Sequence, residues 1–344
     1  MKEIFAFRKK FIEAGKRQGW WSAPGIVTAL SGGGDSVALL WLLREFYPGR
    51  VVAAHLDHCT RNGVSREDAE FAVSLCASWG VECRVKRVEV YANRLAGESF
   101  EMAGRRERYA HFRETAAACG LKFIAVGHSA DDLVETQLMN LFRGTGLAGL
   151  RGIPEVRGDI VRPIIDFRRD ELRRLLRDNG VAWREDASNT DARYARNRVR
   201  CELIPWIKQN MNPNFEMTMA GLAKQLDAEL TEREKRIKPL LEAVETERAP
   251  AIVCWSTGPL ADISDSDLAE MLRAEGAALS LPTLSRERTG CLVSLIRTGG
   301  CWRFQWARDI EICCSNRGIG WLHRGDIKSG GKNTGKTRAP WWAA

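Results

Sequence analysis

Ser31-Gly32-Gly33-Gly34-Asp35-Ser36 is the segment whose chemistry is easiest to name. Consecutive glycines let a backbone take positive φ angles and bring its N–H groups close to an anion. The hydroxyls of Ser31 and Ser36 can donate to phosphate oxygens. Asp35 would repel phosphate unless a cation lay between them, so it points to Mg²⁺. The apolar run 26–30 precedes the loop and a strongly helical pattern, VALLWLLREF, follows it. A helix N-terminus at that place adds favourable partial charge. The plainer alternative is a glycine turn that only caps the helix.

A second constellation is Gly127-His128-Ser129-Ala130-Asp131-Asp132-Leu133-Val134-Glu135. On helical spacing His128, Asp132 and Glu135 share one face. Carboxylates so placed can hold an ammonium group or take its proton. They can also be an acidic helix start that the helix dipole favours. His55, Asp57 and His58 end a β-branched run and should rim a nucleotide pocket. Arg196, Asn197 and Arg200 lie within one helical turn or so, able to grip phosphates or to form a solvated face.

Residues 330–337, GGKNTGKT, match the GxxxxGK[ST] phosphate pattern but lack its context. No strand-like run precedes them, and only seven residues follow, Pro340 among them. They read as part of a basic, flexible tail.

The elements that must position these groups alternate. Strand-like runs at 26–30, 51–58, 83–90 and 121–126 are separated by helical patterns at 4–18, the VALLWLLREF run, 65–79, 99–119 and the stretch after His128. RPIID at 162–166 is short and extended, and 168–180 is helical with a glycine stop. The alternation predicts an α/β fold with a doubly wound, Rossmann-like parallel sheet. Ligands of such sheets collect at the carboxyl ends of the strands.

After Pro213 the character changes. Residues 214–247 read as one long charged helix, and from 250 helical pieces mix with short β-like runs such as CLVSLI and CWRFQW. The expected organisation is a first domain over 1–213, a smaller, mostly helical domain over 214–324, and a flexible basic tail over 325–344.

Lysine and arginine number 52 against 44 acids, a net charge of +8, which suits a polyanionic partner. Ten cysteines are scattered without a CxxC pair, which argues against disulfides and a zinc site. No apolar stretch spans a membrane and the N-terminus has no signal-like apolar centre, so a cytoplasmic location is expected.

The SGGGDS loop resembles that of the PP-loop ATP pyrophosphatases, which cleave ATP between the α and β phosphates. Further segments resemble the tRNA(Ile)-lysidine synthases among them: His55-Leu-Asp57-His58-Cys-Thr-Arg61; Glu101 through Arg105 to Arg108-Tyr109; Gly127-His128 through Asp131-Asp132 to Glu135-Thr136; and Arg143-Gly-Thr-Gly146. Asp186-Ala-Ser188-Asn189 and Arg196-Asn197-Arg198-Val-Arg200, then Pro205, complete an ordered set over about 180 residues. Cys59 departs from it, standing where that family usually carries glycine.

The resemblance implies ATP and Mg²⁺ as cofactors, and as substrates free lysine and tRNA(Ile) with a CAU anticodon. A cytidine C2 oxygen would attack the α-phosphorus, pyrophosphate would leave, and the lysine ε-amine would displace AMP. Deprotonating that amine at pH 7 costs roughly 4.6 kcal/mol. The expected catalytic set is Asp35, Arg105, His128, Asp132 and Glu135. Asp132 and Glu135 would take the ammonium, and Arg105 a carboxylate or phosphate. Arg143, Asn189, Arg196, Asn197 and Arg200 are assigned to tRNA. Open alternatives are a PP-loop tRNA 2-thiolation enzyme and a non-catalytic RNA-binding protein with a relic nucleotide site. A monomer and a homodimer are equally compatible.

Overall fold

The computed structural model describes residues 2–59, 64–95, 97–185, 193–249, 252–279, 281–308, 310–315 and 318–323. They fall into two compact units, Met1–Ala228 and Glu229–Ala344.

The first unit runs α1 (Lys2–Arg17), β1 (Gly25–Ala29), α2 (Gly34–Phe46), β2 (Arg50–Asp57), α3 (Val64–Trp79), β3 (Glu82–Arg87), α4 (Phe100–Cys119) and β4 (Phe123–Ala125). It continues with α5 (Ala130–Phe142), α6 (Leu147–Leu150), β5 (Val156–Arg157), β6 (Ile160–Val161), α7 (Arg169–Asp178), α8 (Ala195–Arg198) and α9 (Ile204–Asn210). The sheet order is β3-β2-β1-β4-β6-β5. Its pairs are parallel except β5 with β6. The expected doubly wound sheet is therefore present. The chain winds outward from β1 to β3, then returns to lay β4 on the other side of β1. The order reverses between β1 and β4, and a crevice forms beyond the strand ends there.

Local chemistry explains the elements that matter. β1 carries Ile26, Val27 and Thr28 and is buried at all five positions, as a central parallel strand requires. α2 is buried continuously from Ser36 to Leu43, so it packs at the centre of a layer and not at its rim. Ser99 caps α4 by accepting from the Met102 N–H at 3.2 Å. Gly120 ends that helix at φ 65°. The extended segment expected at 162–166 is a turn, and the strand pairing falls just before it at 160–161.

The second unit holds most of α10 (Phe215–Val244), then β7 (Glu245–Ala249), β8 (Ile252–Trp255), α11 (Asp265–Ala278), α12 (Arg286–Thr298), β9 (Trp302–Ala307), β10 (Ile310–Ser315) and β11 (Gly318–His323). To the expected helices it adds a five-stranded antiparallel sheet, β7-β8-β11-β10-β9. Trp255, Trp306 and Trp321 centre its core. The division at 228/229 falls inside α10, because Met219 and Ala223 pack in the first unit and Ile237 and Val244 in the second. CLVSLI, read as β-like, lies within α12 instead. Ser285 caps that helix by accepting from the Arg288 N–H, and Leu292 and Val293 are buried. A six-residue apolar run looks alike in strand and helix; the cap decides it. The pattern at 330–337 and the rest of 324–344 lie outside the described residues.

Candidate active site

β1 and β4 deliver their following loops to the two sides of the crevice. After β1, Gly32 takes φ 88°, a left-handed conformation that glycine accepts without strain. The Ser36 hydroxyl donates to the Gly33 carbonyl at 2.8 Å, and the Ser31 and Ser36 hydroxyls are 3.0 Å apart. The Ser31 N–H donates to the Ser36 oxygen at 3.2 Å. Gly32, Gly33 and Gly34 thus form a tight turn closed by its own serines, leading into the N-terminus of α2. Gly127, just past β4, meets this turn from the other side. A β-carbon there would lie 3.2 Å from the Asp35 and Ser36 backbone, tight enough that the loop would have to shift, and glycine avoids this.

α5 begins on the same side. Asp132 closes its start: the Ser129 N–H and hydroxyl both donate to Asp132 Oδ2, at 2.9 and 3.0 Å. That leaves Asp132 Oδ1 toward the crevice, where Arg169 Nη2 donates at 3.1 Å and Arg196 Nη2 at 3.0 Å. Glu135 is 1% exposed and still carries three guanidiniums. Arg196 reaches it at 2.7 Å, Arg200 at 2.6 Å and Arg169 at 3.3 Å. Arg200 sits in a π-helical turn, Val199–Leu203, that directly follows α8. Such turns re-aim side chains and concentrate at functional sites.

Arg169 also reaches across to the phosphate loop, with its Nε 3.3 Å from Asp35 Oδ2. One guanidinium therefore touches Asp35, Asp132 and Glu135, and its backbone N–H donates to Asp131 at 2.8 Å. Burial alone would lower the Arg169 pKa, but the surrounding carboxylates raise it above the ordinary arginine value. Burial pushes the Asp35 carboxyl up to about 6, with Arg169 opposing and Asp132 and Asp131 adding to the rise. Burial likewise raises Asp131. For Asp132 burial is outweighed by Arg169 and Arg196, and its carboxyl lies below the usual range.

His128 is kept neutral. Burial, with Arg162, Arg105 and Arg196 nearby, takes its pKa to about 4 against the pull of Asp132. Arg162 Nε donates to its Nδ1 at 3.2 Å, so the imidazole presents Nε2–H. Arg105 lies exposed over the Tyr109 ring, 4.8 Å from its centroid.

At the end of β2, His55 Nδ1 donates to the Leu30 carbonyl at 2.8 Å, which leaves Nε2 as a buried acceptor with no partner. Arg108 donates to His58 Nε2 at 3.2 Å, and His58 Nδ1 is buried without a partner. Burial, then Arg108, brings the His58 pKa to about 4. Burial also lowers the pKa of His55. For Asp57 burial is outweighed by the Cys59 N–H, Ser65 and Arg87, so its carboxyl is held low. Buried polar atoms without partners are costly; His55 Nε2, held beside the end of β1 through Leu30, fits a nucleotide's polar edge, whereas His58 Nδ1 faces Gly104 of α4.

The structure thus brings together Ser31 to Ser36, His128, Asp132, Glu135, Arg196 and Arg200. Asn197 is buried on the same helical segment. Arg143 is exposed at the far end of α5. Asn189 and Arg61 lie outside the described residues. Among the described residues no cluster of three or more His, Cys, Asp or Glu side chains is arranged to hold a metal ion. No helix among them is long and apolar enough to cross a membrane.

A PP-loop domain model matches residues 6–207, more than half of the chain. The chain belongs to the PP-loop family. Among curated proteins this PP-loop chain is 40% identical over 226 residues to the tRNA(Ile)-lysidine synthase of Clostridium perfringens ATCC 13124, covering 62% of the chain and 48% of that protein. It is 42% identical over 211 residues to the tRNA(Ile)-lysidine synthase of Geobacter sulfurreducens, covering 59% and 44%. The chain spans about half the length of the curated relatives it matches. Among solved structures, the U34-tRNA thiolase of Methanococcus maripaludis superposes with a TM-score of 0.55 at 18% identity, over 65% of this chain and 79% of that one. That likeness shows the fold alone.

Two residues of the PP-loop site escaped the sequence reading: Arg162 and Arg169. Arg169 was visible only as one of two arginines opening an ordinary amphipathic helix. Arg162 and Pro163 looked like the entrance to a strand. The site side chains they reach, His128, Glu135 and Asp35, lie 34 to 134 positions away, so no local pattern could have named them.

Proposed function

We propose that this chain is the catalytic part of a tRNA(Ile)-lysidine synthase: an ATP-dependent ligase of the cytoplasm that joins lysine to C2 of the cytidine in a CAU anticodon. The observation that carries this reading is the convergence of Asp35, from the phosphate loop, with Asp132 and Glu135 on the single guanidinium of Arg169. Groups suited to nucleotide activation and groups suited to an amine share one crevice. The names of the similar proteins supply the substrate.

The loop's N–H groups and the α2 N-terminus would bind the departing pyrophosphate. The cytidine C2 oxygen forms a bond to the α-phosphorus as the bond to the β-phosphate's bridging oxygen breaks. His128, neutral with its proton on Nε2, can donate a hydrogen bond without adding charge. Lysine Nε then bonds to C2, the C2–O bond breaks, and AMP leaves.

Among the described residues four carboxylates, Asp35, Asp131, Asp132 and Glu135, face three guanidiniums, Arg169, Arg196 and Arg200. That local excess of acid suits incoming cations, an ammonium among them. The lowered pKa of Asp132 fits it to hold that ammonium; the adjoining Glu135 can relay its proton. Asp35, the loop's carboxylate, would hold Mg²⁺, which would screen phosphate charge.

The test is transfer of ¹⁴C-lysine to an isoleucine tRNA transcript. Incorporation that requires ATP and the CAU anticodon, with AMP and pyrophosphate formed in equal amounts, supports the proposal. ATP cleavage that incorporates sulfur, or none at all with lysine and tRNA present, would overturn it.

A further inference from the structure

At its C-terminal end α5 borders an exposed groove of about 540 Å³ that the chemistry above leaves unused. Met139, Phe142 and Arg143 form one wall; Arg198, Leu203 and Trp206 form the other. Phe142 is 64% exposed and Trp206 is 55% exposed. Large rings clustered in water on a folded surface mark a binding face. Glu202 is the single acid among the groove's lining residues, against the two arginines.

The groove is built from the same two segments as the acid cluster. Arg196 and Arg200 turn inward to Glu135, while Arg198, Val199 and Leu203 line the groove. On α5, Met139 and Phe142 follow Glu135 by about 6 and 10 Å along the axis. A single-stranded chain covers that distance in about two nucleotides. Aromatic faces and guanidinium planes are what hold splayed bases, and arginines also pair with the phosphates between them.

We infer that this groove is a stacking platform for the unpaired bases beside the target cytidine of an RNA loop. The inference rests on the proposed ligase reading and extends it to how the loop is held open. The arginine flanks and the net charge of +8 favour a polyanion over a second copy of this chain.

The test uses anticodon stem–loops carrying 2-aminopurine on either side of the cytidine. Wild-type protein should quench that fluorescence by stacking. Phe142→Ala and Trp206→Ala should each weaken binding about tenfold and relieve the quench, whereas Trp206→Phe should keep most of both. Arg143→Ala should flatten the salt dependence of binding. If wild type transfers lysine while both alanine variants bind and quench unchanged, the groove has no such role. The same holds if Trp206→Ala only lowers the mass in sedimentation equilibrium, which would make the groove a self-association face. If wild type neither binds the stem–loop nor transfers lysine, the ligase reading itself fails.

Discussion

Arg196 donates through Nε to Oε2 of Glu135 at 2.7 Å, so a residue assigned from sequence to RNA phosphates holds the acid assigned to the amine. Arg200 and Arg169 complete the shell around that carboxylate. A buried acid needs partners, and three guanidiniums supply them to Glu135. The acids and arginines of this crevice therefore form one electrostatic unit.

Arg169→Met should remove the centre of that unit and leave several buried acids underpaired. Breaking a buried ion pair typically costs about 3–5 kcal/mol. Urea unfolding should show a loss of that order, and Arg169→Lys, which keeps the charge but not the fork, should restore part of it. Unchanged stability in the methionine variant would mean that the acids find other partners.

Gly127→Ala should act on the phosphate loop from outside it. The added β-carbon must move the backbone of Asp35 and Ser36, which have no flexible end to yield. The expected result is a several-fold rise in the apparent KM for ATP with little change in that for lysine. Equal KM values for ATP in the two proteins would argue against a tight loop–loop approach.

Cys59 takes φ 52°, the left-handed conformation that side chains disfavour. The chain keeps a glycine-like turn after β2 while carrying a thiol there. Cys59→Gly should relieve strain and raise stability by about 1 kcal/mol, read as a higher denaturation midpoint. A loss of stability would show that the contact between Arg87 and the sulfur outweighs the backbone.

Acid should destabilise the fold through its histidines. His128 titrates at about 4 in the fold and near 6.5 when unfolded, because burial disfavours its charged form. The unfolded chain thus takes the proton first. The stability from neutral His128 is complete above pH 6.5 and is lost as pH falls toward 4, by roughly 3 kcal/mol in all. His58 contributes in the same direction, less so because water screens it more. His128→Gln should flatten the stability profile between pH 6.5 and 4; an unaltered slope would place the acid sensitivity elsewhere.

Much of this arrangement was legible in the chain. Ser31 to Ser36 between an apolar strand and an apolar helix is a local pattern, and so is the 128, 132, 135 spacing. The order of strands and helices foretold the parallel sheet and its crevice. Arg169 was not legible, because its role depends on α7 starting beside two loops that are distant in sequence. The helical state of CLVSLI depended on a cap several residues upstream. The division within α10 was hidden because one continuous helix serves two cores, and no change in its periodicity marks the passage.

The most direct measurement separates the two halves of the reaction. Glu135→Gln protein would be mixed with α-³²P-ATP, lysine and tRNA(Ile) bearing CAU, and the RNA examined for bound label. The expected result is radiolabelled, adenylated tRNA that accumulates and discharges at least a hundredfold more slowly than with wild type. Discharge at the wild-type rate, or no adenylated RNA from either protein, would contradict a crevice in which the glycine loop activates the base and Glu135 serves the incoming amine.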